Sequence, residues 1–404
     1  MTRNTTDILI SGAGIAGMVA AALLARQGRR VTLVDPMPPV AAAGDAGSDL
    51  RSTAFLQPSR KLFEEAGLWD ALDAHATPLD KLRVMDTSGW PPVIRDTRTF
   101  VPDDLGHDTF GWNLPNWLTR RELARVLEET PGVDLRLGTG FRAMLTRDRE
   151  AIVTLSDRSQ VSARLVIGAD GRASPVADAA GIGMRTTRYG QKALAFAVTH
   201  ALPHDNVSTE VYNRGGATTT VPLPDQDGRA ASAIVWMEDG PRAVQLSHMV
   251  PEDLADELDM RICHVLGPSR LATPVRVWPV VTQTAERLTA RRTALVAEAA
   301  HVLPPIGAQG LNTSLADVAD LAHRIAEAED PGAEALLDGY AASRARDIRA
   351  RAKVVDLFNR VCRSDIPAVQ AMRLAGLKAV HGLTPVRRTV MRAGLGSEGD
   401  RQNT

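Results

Sequence analysis

Cysteine is nearly missing from this 404-residue chain: Cys263 and Cys362 are its only two, with no Cys-x-x-Cys pair and no metal-ligand spacing. A disulfide framework and a cysteine-held metal centre are thereby excluded, and two buried thiols in a reducing compartment are expected. No metal site is expected elsewhere, since His200, His204 and His248 do not form a ligand spacing. An excess of one charge is also missing, with 47 Lys and Arg against 48 Asp and Glu. General nucleic-acid binding needs a large basic surplus, so no nucleic-acid partner is expected. No apolar stretch follows Met1-Thr2-Arg3-Asn4-Thr5-Thr6, which argues against a secretory signal. The longest apolar run, Ile15 to Ala25, is too short to cross a bilayer. These absences predict a cytoplasmic protein that can touch a membrane surface without spanning it.

What is present is an ordinary globular composition, 44% hydrophobic and 24% charged, in a chain long enough for two or more domains. Asp7-Ile8-Leu9-Ile10-Ser11 reads as a buried strand and Ala20 to Gln27 as a helix, with Gly12-Ala13-Gly14-Ile15-Ala16-Gly17 between them. In a βαβ unit Gly12 permits the tight turn, Gly14 lets a pyrophosphate approach the backbone, and Gly17 lets helix and strand pack closely. A second strand, Val31-Thr32-Leu33-Val34, ends at Asp35, placed to accept from ribose hydroxyls and disfavouring a 2′-phosphate. This motif alone does not separate FAD from NAD.

Three further segments add to it. Thr119-Arg120-Arg121-Glu122 reads as a capping box, which would put Arg120 in a first helical turn facing an anionic partner. Leu165-Val166-Ile167-Gly168-Ala169 reads as another buried parallel strand, ending in Asp170-Gly171-Arg172 before a helix from Ser174 to Ala180. Thr293-Ala294-Leu295-Val296 reads as a short strand, leading into Glu298-Ala299-Ala300-His301 and then Pro304-Pro305-Ile306-Gly307-Ala308-Gln309-Gly310-Leu311-Asn312. A helix expected from about Asn312 to Ala326 would point its unpaired amides at a developing anion, such as the N1–C2=O edge of a reduced flavin.

The three motifs together resemble those of the FAD-dependent aromatic hydroxylases of the para-hydroxybenzoate hydroxylase type, and most of all the ubiquinone-biosynthesis hydroxylases. Arg51-Ser52-Thr53-Ala54, Gly67-Leu68-Trp69 and Asn116-Trp117-Leu118 support that likeness, which runs from about Asp7 to Gly394. The resemblance implies an α/β fold: a Rossmann-type FAD-binding domain with an inserted β-sheet substrate domain and a C-terminal helical segment. The expected divisions are 1-78, 106-184 and 283-335 for FAD, 79-105 and 185-282 for substrate, and 336-404 for the basic helical segment. It also implies that Gly12, Gly14, Ile15, Ala16 and Gly17 hold the pyrophosphate and Asp35 the ribose. Arg51 and Arg120 would face the phosphate and ribityl region, Asp170 and Gly171 both FAD and NAD(P)H, and Glu298 the ribityl chain. Gly310, Leu311 and Asn312 would line the isoalloxazine. One departure stands out: the family's usual Gly-Asp is Ala297-Glu298 here.

The implied reaction hydroxylates a polyprenylated phenol. NADH or NADPH reduces FAD, O2 adds at the flavin C4a, and the distal oxygen passes to the ring. His301, near the flavin by motif position, is the candidate base. The alternatives are a flavin hydroxylase of a small soluble aromatic acid and a non-catalytic flavin-binding organiser of a biosynthetic complex. Alternating stretches at Leu79 to Phe100 and Arg185 to Val281 predict the substrate sheet, with strands at Ala193–Thr199, Thr218–Pro222, Ala231–Met237 and Ala243–His248 and a helix from Pro251 to Val265. From Ser343 to Arg392, twelve Lys or Arg face three acids, Asp347, Asp356 and Asp365. Such a basic amphipathic segment suits an anionic membrane surface or a partner protein of quinone biosynthesis, against the alternative of a solvated face packed on the flavin domain.

Overall fold

A computed structural model describes residues 4–395; positions 1–3 and 396–404, the tips of the expected first and last segments, lie outside the described residues. At the centre is a parallel sheet in the order Thr293–Leu295, Gln160–Gly168, Asn4–Ser11, Val31–Asp35, Val133–Leu137. Its middle strand reads as a continuous apolar run because both faces are covered, and Ile8, Leu9 and Ile10 are wholly buried. The helix Ile15–Arg26 is apolar on nearly every side for the same reason: it sits under helices Asn116–Glu128 and Gln309–Ala326.

A second sheet roofs the first. Its order is His301–Val302, Arg276–Ala285, Met184–His200, Arg229–Asp239, Gly216–Gln226, Val207–Asn213, Lys81–Ser88, Val93–Phe100. One face carries Leu194, Phe196, Val198, Val211, Ile234 and Trp236 and is covered by helices Gly240–Ser247 and Pro251–Arg261. The other face, in register across three strands, carries Ala193, Ala195 and Ala197, then Met237, Val235 and Ala233, then Ala217, Thr219 and Val221. Ile306 packs on this face against Ala193 and Met237, so it is the side turned to the Pro304–Gln309 loop. A small sheet, Ser52–Leu56 with Gly111–Pro115 and Thr77–Leu79, closes one end.

Several local expectations need correction. Ala243–His248 is not a strand, because Pro241 fixes the first turn of a helix that begins at Gly240. Val207–Asn213 is a strand that the alternation did not single out. The capping box is not formed: the helix starts earlier, at Asn116, and the Thr119 hydroxyl donates back to the Pro115 carbonyl at 2.9 Å. The flavin-loop helix starts at Gln309, so Gly310 and Asn312 lie inside its first turn.

The C-terminal segment forms helices Glu334–Arg363, Pro367–Gly382 and Thr384–Leu395. The long helix ties both layers together. Tyr340 donates to the Leu295 carbonyl (2.7 Å) in the parallel sheet, while Asn359 donates to Gln191 (2.9 Å) in the roof. Among the described residues no helix is long and apolar enough to cross a membrane.

Candidate active site

Parallel register delivers four site segments to one edge. Ser11 pairs with both Gly168 and Val34, and Gly168 pairs with Leu295, so the chain leaves all four strands side by side. Open α/β sheets bind ligands at this carboxyl edge. An open hollow lined by Thr6, Arg30, Arg147 and Arg164 lies at the opposite ends of the strands and collects none of these groups.

The glycines are required by contact. Gly12 has φ +107°, and a β-carbon there would lie 2.3 Å from the Ala169 carbonyl oxygen, where two loops cross. A β-carbon on Gly17 would lie 2.0 Å from the Gly12 carbonyl. Gly14, by contrast, faces open space within 4 Å. The helix start above it has no side-chain cap and no acid in its first turn. Unpaired, positively polarised amides facing open space fit a pyrophosphate.

Asp35 and Arg120, expected as separate ligands, are brought together at 3.2 Å. Asp35 accepts from the amides of Ala13 (2.7 Å) and Met37 (2.8 Å), and Arg120 donates to the carbonyls of the same two residues. The pair therefore staples the glycine turn to the end of the second strand. Asp35 keeps acceptor capacity for a ribose.

Arg51 chelates Asp49 with two hydrogen bonds of 2.8 Å, lies 3.8 Å from Glu298, and stacks over Trp278 of the roof. Asn116 donates to Asp49 (3.0 Å) and accepts from Thr53 (2.7 Å). Burial opposes the charge of Asp49, but Arg51 and Asn116 outweigh it and hold the carboxyl below its usual range. Glu298 remains 43% exposed at its side chain, leaving a carboxylate open to a polyol. Ala297 beside it sits at φ +57°, a left-handed conformation that favours glycine and costs about 1–2 kcal/mol with a β-carbon. The usual glycine of the resembling family suits that backbone better.

Asp170 is surrounded by this chain's own donors: Ser11 (3.2 Å), the Val176 amide (3.2 Å) and Ser174. Burial pushes its carboxyl above the usual range despite them. It fixes the Gly171 turn, which stands at φ +83°. Asn312 is likewise committed, accepting from the Leu56 amide (3.1 Å) and Ser59 (2.6 Å) and donating to the carbonyls of Ala54 (2.8 Å) and Ala308 (2.7 Å). It locks the helix start beside the small sheet, while Gly310 faces open space and Leu311 packs on the core.

His301 is placed differently from its expected role as a base. It is 2% exposed, and its Nε2 lies 2.7 Å from Oδ2 of the buried Asp317. Asp317 also accepts from Arg344 (2.8 Å) and from the Ala297 amide (3.2 Å). Burial alone would raise the Asp317 carboxyl; His301 and Arg344 hold it below its usual range instead. A ring sealed in the core and committed to a carboxylate is not open to a substrate. Asp49, Asp317 and Arg344 were missed by sequence reasoning. Asp317 had a signal, being an acid adjoining the apolar stripe of Val318, Leu321 and Ile325.

Uncapped helix amides, an acid at the end of the second strand and a second helix start under a roof sheet match the two-layer architecture of a flavoprotein oxygenase. The chain belongs to the FAD binding domain family, whose model matches residues 5–355, and it is an FAD-dependent monooxygenase. It is 34% identical to the ubiquinone hydroxylase UbiL of Rhodospirillum rubrum, over 98% of this chain and 90% of that one. With the 3-demethoxyubiquinol 3-hydroxylase of Escherichia coli the identity is 28%, over 98% of this chain and all of that one. Among solved structures, p-nitrophenol 4-monooxygenase from Pseudomonas putida superposes with a TM-score of 0.79 at 18% identity, over 98% of this chain and all of that one, and shares the fold.

Proposed function

We propose that this protein hydroxylates the aromatic ring of a polyprenylated phenol in ubiquinone biosynthesis, with FAD as cofactor, O2 as co-substrate and NADH or NADPH as electron donor. The observation that carries this reading is the alanine paving of the roof. Ala193, Ala195, Ala197 and Ala233 present no charge and little bulk on the face that Ile306 of the Pro304–Gln309 loop packs against at Ala193. A small aromatic acid needs a cation in its pocket; a prenylated ring needs apolar room. The 34% identity to a ubiquinone hydroxylase supports the same choice.

FAD, when bound, would supply the activation of O2, one atom of which is delivered to the substrate's ring while the other leaves as water. The residues supply placement. Gly14 and the start of helix Ile15–Arg26 receive the pyrophosphate, Asp35 the ribose, and Arg51 and Glu298 the region between phosphate and ring. The amides at Gly310 and Leu311 face the ring's developing negative charge, and the roof excludes water. His301 positions the loop through Asp317 and does not move the substrate's proton. Of the two Gly-x-Gly-x-x-Gly matches, Gly12 to Gly17 follows a strand and opens a helix while Gly394 to Gly399 follows no strand, so the nicotinamide shares the flavin groove.

The C-terminal helices suit an anionic membrane surface. Of the twelve basic residues between 343 and 392, Arg344, Arg351, Arg360, Arg363, Arg373 and Arg387 bind this chain's own acids or carbonyls. Arg346, Arg349, Lys353, Lys378, Arg388 and Arg392 point outward, and so do the apolar Val354, Leu357, Ile366, Met372, Leu383 and Val390. Basic and apolar groups exposed together match an interfacial helix.

The purified protein is expected to oxidise NADH or NADPH faster on addition of a prenylphenol and to release the ring-hydroxylated product. Equal stimulation by 4-hydroxybenzoate would favour the small-acid reading, and flavin without any stimulation would favour a non-catalytic organiser.

A further inference from the structure

The antiparallel register sets Ala195, Val235, Thr219 and Glu210 in one row across the alanine-paved face. Glu210 is 7% exposed, an acid at the end of an apolar floor. Its carboxylate accepts from the Tyr212 hydroxyl on the same face and from the Gly307 backbone amide. Gly307 belongs to the loop that ends at the flavin-facing helix start. Glu210 thus stands where the substrate floor meets the flavin loop. The two donors leave it lone pairs for a third partner.

Among the described residues no Lys or Arg forms an ion pair with it, and burial pushes its carboxyl above the usual glutamate range. The groups packed around the pair are few. Tyr212 lies edge-on to Phe358, 5.6 Å between centroids, with Cys362 beyond. Arg373 is engaged by Asp86 and by the carbonyls of Cys362 and Thr87. Burial drives the Tyr212 phenol far up, so it stays protonated and serves as a donor. With His301 sealed against Asp317, Glu210 is the acid of this face able to receive a proton.

We propose that Glu210 accepts the proton of the substrate's ring hydroxyl, with Tyr212 holding the carboxylate in place. The phenol O–H bond breaks, an O–H bond forms on the Glu210 carboxylate, and the electron pair remains on the phenolate oxygen, activating the ring. No oxidant or reductant enters this step. The inference rests on the reading of the substrate as a phenol.

The test uses holoenzyme without nicotinamide and the chromogenic probe 2-prenyl-4-nitrophenol. The expected result is the phenolate band on binding, with no proton released to a pH indicator. Glu210→Gln should bind the probe without that band, or release one proton per phenolate formed. With a prenylphenol substrate, Glu210→Gln should lose about a hundredfold in kcat, keep KM within threefold, and lose the acidic limb of the pH profile. Stoichiometric proton release by the native protein, no phenolate in the native protein, or native behaviour in Glu210→Gln would each overturn the proposal. If Glu210→Gln does not fold, Glu210→Asp carries the test: proton retention with kcat lowered about tenfold supports it, and unchanged kcat overturns it. Failure of the substrate reading looks different. The native protein would then show no prenylphenol-stimulated NADH oxidation, while the probe's proton inventory still reports on Glu210.

Discussion

At the dinucleotide edge, Gly12, Asp35, Asp170 and Glu298 arrive at the ends of parallel strands, each next to its own short motif. In the second sheet, Ala195, Val235, Thr219 and Glu210 come from four strands and meet only through antiparallel register. The first site is mostly backbone, so its demands fall on local sequence: a glycine where two loops cross, an acid where a strand stops. The second is made of side chains whose neighbours are set by pairing across the sheet. Local chemistry can name a cofactor, whereas register decides what lies above it.

The sharpest way to break this contrast is at the loop crossing. Gly12→Val sets side-chain atoms against the Ala169 carbonyl and strains a positive φ, and flavin retention should fall on the order of a hundredfold. Equilibrium dialysis of FAD checks it; native affinity would remove the backbone argument.

The buried junction between the layers comes next. Asp317→Ala leaves His301 buried without its carboxylate and Arg344 with Asp347 alone, and should cost about 3 kcal/mol in denaturant unfolding. The native carboxyl titrates below its unfolded value of about 3.9. A depressed folded value adds stability that is complete above the unfolded pKa and lost as pH falls through the folded one. The native protein should therefore lose stability below about pH 4, and Asp317→Ala should lack that part of the acid transition.

A smaller effect is expected at the outer face. Leu357→Asp together with Val390→Asp should weaken binding to anionic liposomes about tenfold in a sedimentation assay, while shifting folding stability by only about 0.5 kcal/mol. Unchanged binding would return the basic segment to a solvated role. The smallest effect belongs to Ala297→Gly, which should relieve the left-handed strain and stabilise the protein by about 1 kcal/mol, read as a rise in Tm.

Much of the nucleotide layer was legible in the sequence because each element there carries its own terminator. Asp35 closes a strand, Ser174 caps the helix Pro175–Ala179 through the Ala177 amide, and Gly12 marks a turn. What failed was where local signals compete. Thr119 and Glu122 matched a capping box, but Pro115 had already set the helix start one turn earlier. Alternation at Ala243–His248 imitated a strand where Gly240-Pro241 opens a helix. The pairing of Asp35 with Arg120 and the sealing of His301 by Asp317 join residues 85 and 16 positions apart, which no single-strand or single-helix period reveals. The basic tail was visible as composition, yet half of its basic residues are engaged within the fold, five of them by acids.

The most direct measurement is product analysis after incubating the flavin-loaded protein with NADH, a prenylphenol and isotopically heavy O2. One heavy oxygen atom on the ring of the prenylphenol is expected. Nicotinamide oxidation that yields only hydrogen peroxide, alongside efficient labelling of a small aromatic acid, would contradict the assignment.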